Sequence, residues 1–172
     1  MRYVKPIGDD MVFGDYVIAR DIVDEIDLPV FVNSCETMYA FIKENFSHMK
    51  ADYNGQSTMT TKLYAKYNLF MYPHPEFRKL YKQVQKIWND YNQEPDGEHY
   101  VQCWLNLYRD GEFIDWHGHW PKEQRTWHGF FVASAGGESS TTYSIPGKPG
   151  YYDVPSKDGR LVLSPSDDDK HR

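Results

Sequence analysis

The chain has 172 residues, of which 40% are hydrophobic and 16% aromatic, and its formal net charge is −6. This length suits a single domain over residues 1–172. The negative charge argues against a nucleic-acid partner, because few cations are left to neutralise phosphates. Only two cysteines occur, and the sequence shows neither a signal pattern nor an apolar run long enough to span a bilayer. These features predict a cytoplasmic protein with no membrane partner.

The first half of the sequence, residues 1–97, is predicted to be a helical and mixed support. The stretch 27–32 resembles a short extended piece, because a residue before proline avoids the helical region. A helix is predicted at roughly 34–47, behind a polar cap, and a second at 75–92, where apolar residues recur every three or four positions. Between them, residues 63–71 are compatible with a strand.

The second half, residues 98–172, changes to an apolar period of two. Turn residues separate several short predicted strands, which are 101–107, 113–120, 127–134, 140–145 and 161–163. The predicted fold is therefore mainly β with N-terminal helices: a double-stranded β-helix (jelly roll) braced by two or more helices. The charged run 167–170 is predicted to be a solvated loop.

Candidate metal ligands are concentrated in the segment Asp115-Trp116-His117-Gly118-His119. On a strand, the aspartate and both histidines face the same side, and two imidazoles at this spacing can reach one metal ion. From spacing alone, a metal site and an exposed histidine pair remain equal alternatives. His171, beyond the last predicted strand, is a possible third ligand. His128 is predicted to line a cavity rather than to bind metal.

Three segments of this half resemble a known family. The segment 108–119, with the pattern Tyr-x-x-Gly-x-Phe-x-x-x-His-x-His, resembles the tyrosine–glycine–aromatic–His-x-Asp stretch of prolyl-4-hydroxylase-like iron(II)/2-oxoglutarate oxygenases. Residues 161–166, with His171 after them, resemble the late strand that leads to the distal histidine of that family. Residues 127–132 resemble the strand that follows its metal pair. The similarity covers roughly 100–172 and is greatest to a small phage and marine-bacterial branch, in which His-x-His can replace His-x-Asp.

The resemblance implies an Fe(II) centre. His117 and His171 then correspond to the two histidine ligands, and His119 occupies the position of the carboxylate. Asp115 is an alternative carboxylate ligand, or an orienting group behind the ligands.

The resemblance also implies 2-oxoglutarate as cosubstrate and O2 as oxidant. Tyr108 matches a tyrosine that borders the 2-oxoglutarate pocket in relatives, and Asn106 alternates onto the same face as a second polar contact. The implied reaction is a dioxygenase hydroxylation of an unidentified small-molecule or peptide substrate, with a peptidyl proline as the analogy. The sequence determines neither the substrate nor the oligomeric state.

One departure from the family concerns the basic residue that pairs with the distal carboxylate of 2-oxoglutarate. It is expected about ten residues after the distal histidine, on the next strand. Arg172 adjoins His171 and would point away on a strand. We therefore expect the chain to be a truncated form, inactive as it stands. Two alternatives remain open: a cupin-like three-histidine metalloenzyme that does not use 2-oxoglutarate, and a non-catalytic jelly-roll binding module.

Overall fold

The computed structural model describes residues 10–13, 16–46, 59–60, 68–91, 99–108, 110–124 and 126–172. Within these ranges the chain is mainly β, with antiparallel sheets and two α-helices, in agreement with the predicted class. The elements in chain order are β1 (Met11–Phe13), β2 (Tyr16–Ile22), α1 (Leu28–Phe46), β3 (Met59–Thr60), α2 (Pro75–Tyr91), β4 (Asn106–Leu107), β5 (Trp127–Phe131), β6 (Ser140–Ser144), β7 (Tyr152–Pro155), β8 (Arg160–Pro165) and β9 (Lys170–His171).

The two helices agree with the prediction to different degrees. Helix α2 forms where it was predicted, whereas α1 begins at Leu28 rather than near residue 34. The extended interpretation of 27–32 was wrong because Asp27 caps the helix: its Oδ1 accepts the N–H of Val30 at 3.1 Å. Pro29 lies in the first turn, where its missing N–H costs nothing. In the described ranges, neither helix combines the length and apolar character needed to cross a membrane.

The strands form two main sheets and a short ribbon. The larger sheet has the order β1-β2-β8-β5 and the smaller one the order β7-β6-β9, while β3 pairs with β4 separately. Strand β8 lies in the interior of the larger sheet, with Leu163 opposite Ala19 of β2 on one side and Gly129 of β5 on the other. All of these pairings are antiparallel.

The larger sheet is buried on both faces. Alternate residues of β2 and β8 pack against the helices on one face; these are Val17, Ala19, Leu161 and Leu163. The intervening residues pack against the smaller sheet on the other face; these are Tyr16, Ile18 and Val162, which meet Tyr143, Ile145 and Val154. The layers are therefore helices, larger sheet and smaller sheet, and the space between the two sheets is where inward polar groups meet.

Three predicted strands differ from the structure. Residues 113–120 form no strand, and the only β-bridge in that segment joins His117 to His171. Of 101–107, only Asn106–Leu107 pairs. Residues 69–71 form a short 3-10 turn instead of a strand, and 61–67 lie outside the described residues. Alternation alone does not make a strand, because a strand also needs a partner for its backbone groups.

Candidate metal centre

His117, His119 and His171 are brought together by a backbone contact between distant parts of the chain. His117 and His171 exchange two backbone hydrogen bonds, of 3.0 and 2.9 Å. Their rings lie 4.3 Å apart between centroids, and the His119 ring lies 5.5 Å from His117 and 5.1 Å from His171. One possible ligand atom from each residue lies within 4.8 Å of the others. The three histidines predicted as ligands therefore form one group, although the segment that carries two of them is not a strand.

His128 reaches the same place from the larger sheet. It lies in β5 opposite Ser164 of β8, on the face that meets the smaller sheet. Its ring stacks on His171 at 4.7 Å with an interplanar angle of 8°, and on His119 at 4.6 Å. His128 thus lies against the cluster. It also belongs to a second possible ligand group in the described chain, formed with Asp169 and His171.

Asp169 corrects the prediction that the charged run 167–170 is a solvated loop. Its side chain is 3% exposed, and its Oδ2 lies 3.1 Å from His128 Nε2 and 3.8 Å from His171 Nδ1. The preceding residue, Asp168, is exposed and adopts a left-handed conformation with φ 58°, which aspartate tolerates better than most residues. Neighbouring acidic residues therefore have opposite environments: Asp168 is in solvent and Asp169 is inside.

Burial and neighbouring groups together shift the pKa values of Asp169 and His171. Burial tends to raise the pKa of Asp169, but its contacts with His128 and His171 outweigh this, so the pKa lies far below its ordinary value and the carboxylate is charged. Burial lowers the pKa of His171, and the neighbouring His128 and His117 lower it further against the opposing effect of Asp169. His171 is therefore a neutral imidazole near pH 7, the form that binds metal.

The residues present fit a first-row transition metal. His117 Nδ1 lies 2.9 Å from the backbone oxygen of Asp115, so Nδ1–H donates to that carbonyl and Nε2 keeps a free lone pair. The buried Nδ1 of His171 has no hydrogen-bond partner, which leaves this ring free to adopt either tautomer. A set of imidazole donors, with a carbonyl acceptor behind His117, suits Fe, Zn, Cu or Ni.

Asp115 contacts this centre through its backbone rather than its carboxylate. Its Oδ1 accepts the N–H of Trp116 at 2.7 Å, and the side chain is exposed. The carboxylate is in neither ligand group of the described residues. The Asp115 atom that contacts His117 is its carbonyl oxygen, and the metal-site roles considered for Asp115 remain predictions.

The residues predicted to hold 2-oxoglutarate lie on or beside the small ribbon. Asn106 is half-buried in β4, opposite Thr60, and Tyr108 follows β4 with 46% of its surface exposed. Their contact with a cosubstrate remains a prediction.

Arg172 lies on the opposite face from His171, as expected for adjacent residues in extended chain. It exchanges backbone hydrogen bonds of 3.0 and 3.1 Å with Thr142, next to the Tyr143–His171 pair. Its guanidinium lies 4.9 Å from the centroid of the Trp116 ring. Arg172 therefore stacks on an aromatic side chain outside the histidine cluster.

No protein-family model, curated protein or solved structure matches the chain. Sequence reasoning missed Asp169 and Ser164 as members of this cluster. A serine within the apolar strand Leu161-Val162-Leu163-Ser164 was the available signal, because a polar residue there must be satisfied inside the protein.

Gly118, between the two histidines, provides a local test of the geometry. A Cβ at this position would lie 3.0 Å from the backbone oxygen of Asp169, so Gly118→Ala must push the 117–119 segment away from the 169–171 segment. We expect Co(II) affinity to fall about tenfold, as for other displaced supports of metal ligands, while far-UV circular dichroism is unchanged. Gly136→Ala is the control for the substitution type: a Cβ there meets nothing within 4 Å, and its positive φ of 65° means that alanine costs stability without touching the 117–119 segment. Equal affinities for both variants would contradict the prediction.

Proposed function

We propose that this chain is a non-haem Fe(II)- and 2-oxoglutarate-dependent oxygenase that hydroxylates a C–H bond. The observation that carries the proposal is the convergence of His117, His119 and His171, whose candidate ligand atoms lie within 4.8 Å of one another. An iron centre of this kind needs three protein ligands on one side and open positions on the other. The resemblance of segments 108–119 and 161–171 to this oxygenase family supports the choice of iron and 2-oxoglutarate.

The strand order supports a jelly roll as the frame of this centre. In the smaller sheet, β9 lies beside β6 on one side and beside His117 on the other. An early histidine pair and a late histidine thus come from neighbouring segments, which is how we expect a jelly roll to gather ligands at its mouth. The paired strands β5 and β8 cover the other side and contribute His128 and Ser164.

The residues of the chain have separate roles in the proposed reaction. When bound, Fe(II) with 2-oxoglutarate and O2 supplies the oxidising chemistry, and the substrate gains a hydroxyl while 2-oxoglutarate becomes succinate and CO2. His117, His119 and His171 hold the ion. The Asp115 carbonyl fixes the His117 tautomer, and the buried rings of His128 and Tyr143 limit the access of water from behind.

The proposal is tested by anaerobic titration of the Fe(II)-loaded chain with 2-oxoglutarate. Bidentate binding of the keto acid to iron produces a weak visible charge-transfer band, which we expect in the parent protein and not in His117→Ala. His99→Ala is the control, because His99 is exposed and contacts Trp88. Tight Fe(II) binding with no band at saturating 2-oxoglutarate would reject the oxygenase assignment.

A second candidate is a three-histidine metalloenzyme that does not use 2-oxoglutarate. The position of Arg172 favours it, since this guanidinium stacks on Trp116, on the opposite face from His171. A bidentate arginine pair contributes much of the affinity for a dicarboxylate. In the titration above, bound metal without the chelate band is the result that this second candidate predicts.

A further inference from the structure

Asp169 is a buried charge with an unusual set of partners. The buried carboxylate of Glu76 has the ammonium of Lys79 at 2.8 Å. Asp169 instead faces the imidazoles of His128 and His171. Burying a carboxylate is expensive unless nearby groups compensate for the lost hydration. The backbone N–H of Asp167 also donates to Asp169 Oδ1, at 3.3 Å. The neutral His171 ring can offer the carboxylate only an N–H dipole, so this contact gains most when a cation is held on the far side of that ring.

The position of Asp169 behind His171 matches what a metal-binding histidine requires. Such a histidine normally donates its second ring N–H to a carboxylate or a backbone carbonyl, which fixes the tautomer and strengthens the metal bond. His117 already has such an acceptor, the carbonyl of Asp115 at 2.9 Å. The corresponding atom of His171 is the buried Nδ1, which lacks a hydrogen bond and faces Asp169 Oδ2 at 3.8 Å.

We propose that Asp169 is the outer carboxylate of the metal centre: it accepts the Nδ1–H of His171 while the other ring nitrogen binds the ion. The 3.8 Å separation must shorten to hydrogen-bond length on metal binding. Asp169 thereby returns to the site the negative charge that an aspartate would provide at the position of His119. This inference depends on the proposed metal-binding function.

His128 and Ser164 hold Asp169 in this position. His128 Nε2 lies 3.1 Å from Asp169 Oδ2 and 3.1 Å from Ser164 Oγ, so its N–H points at these two oxygens. That nitrogen is already engaged, which argues against His128 as a ligand. The row Ser164–His128–Asp169–His171 therefore connects β8 to the centre through β5, and Asp169 acts as a positioning residue.

The test compares Co(II) binding by Asp169→Asn and Asp168→Asn. The two variants remove the same charge from adjacent positions, and Asp168 is exposed in a left-handed conformation that asparagine adopts well. We expect Asp169→Asn to weaken Co(II) binding about 10–100-fold and Asp168→Asn to leave it unchanged. The visible Co(II) bands of Asp169→Asn should keep their shape and intensity, because no ligand is lost. Equal affinities, or bands that show a lost ligand, would overturn the proposal.

Two further measurements make the result decisive. In the Co(II)-loaded parent, exchangeable N–H protons of the ligating rings give strongly shifted NMR signals, and one should move in Asp169→Asn but not in Asp168→Asn. His128→Phe keeps the Asp169 carboxylate but removes the N–H that donates to it, so we expect a smaller loss of Co(II) affinity than in Asp169→Asn. This variant still tests the proposal if Asp169→Asn does not fold. Parent-like affinity in His128→Phe would count against the row Ser164–His128–Asp169–His171. A parent that binds no Co(II) rejects the metal function itself, whereas a parent that binds with no difference between the Asp variants rejects only the role of Asp169.

Discussion

Replacing His171 with alanine is expected to lower the affinity for Co(II) and Fe(II) by roughly 100-fold or more. Removing a group that only supports a metal ligand typically costs about 10–100-fold, and losing the ligand itself should cost at least the upper end of that range. His171 is the residue that both possible ligand groups share. It also joins the two halves of the site, because its backbone pairs with His117 and with Tyr143 of β6. Alanine preserves these backbone bonds, so we expect the sheets to form without the metal.

Isothermal titration with Co(II), followed by competition with a chelator, measures this loss. His99→Ala is the matched control, since it removes an exposed imidazole outside the cluster. Far-UV circular dichroism shows whether the variant remains folded. A folded His171→Ala protein with the parent affinity would mean that the late strand does not provide a ligand, and His117 and His119 would then need a different partner.

Replacing Phe77 with alanine is expected to cost about 3–5 kcal/mol of unfolding free energy, as for other buried aromatic side chains. Phe77 is 1% exposed in α2, and its ring lies 4.7 Å from Phe31 and 5.8 Å from Tyr72 between centroids. It belongs to the core that joins the helices to the larger sheet. In a chain of this length, the loss corresponds to a decrease in Tm of roughly 6–20 °C.

Phe41→Ala is the control for this change. Phe41 lies on α1 with 48% of its surface exposed, so its truncation should cost about 1 kcal/mol or less. Urea unfolding of both variants gives the comparison. Because the helices pack on the face of β8 opposite Ser164, Phe77→Ala should leave Co(II) affinity intact in the folded protein; a combined loss of stability and affinity would mean that the two faces are coupled.

The helices show how far local pattern can predict this fold. Helix α2 is predictable because one face of apolar residues repeats at helical spacing, and a single packed face is enough to produce that signal. Strand β2, in contrast, is buried on both faces, by the helices and by the smaller sheet. A strand covered on both sides has no alternation of apolar and polar residues, so Tyr16–Ile22 lacked the expected signature.

The segment around His117 shows where the pattern misled. Alternation placed Asp115, His117 and His119 on one face of a strand, but in the structure only His117 pairs, and it pairs with His171. A strand forms only where its backbone groups pair with another segment, which can be distant in the sequence. The local sequence does not determine which residues will pair. The histidines still converge, because the bridge at His117 and the ring contacts of His119 replace the strand.

Asp169 shows the same limit for charge. Asp167, Asp168 and Asp169 are identical as residue types, and a short acidic run is normally solvated. Only the turn at Asp168 and the surrounding imidazoles distinguish the buried carboxylate from its exposed neighbour.

The sequence by itself determined the β-rich class, the second helix and the histidines worth considering as ligands, because periodicity and residue chemistry are local properties. The tertiary structure alone decided that His171 meets His117, that His128 closes the cluster, and that Asp169 lies behind His171 rather than in water. These are contacts between residues far apart in the chain, and their energies depend on burial and pairing that exist only once the two sheets have packed together.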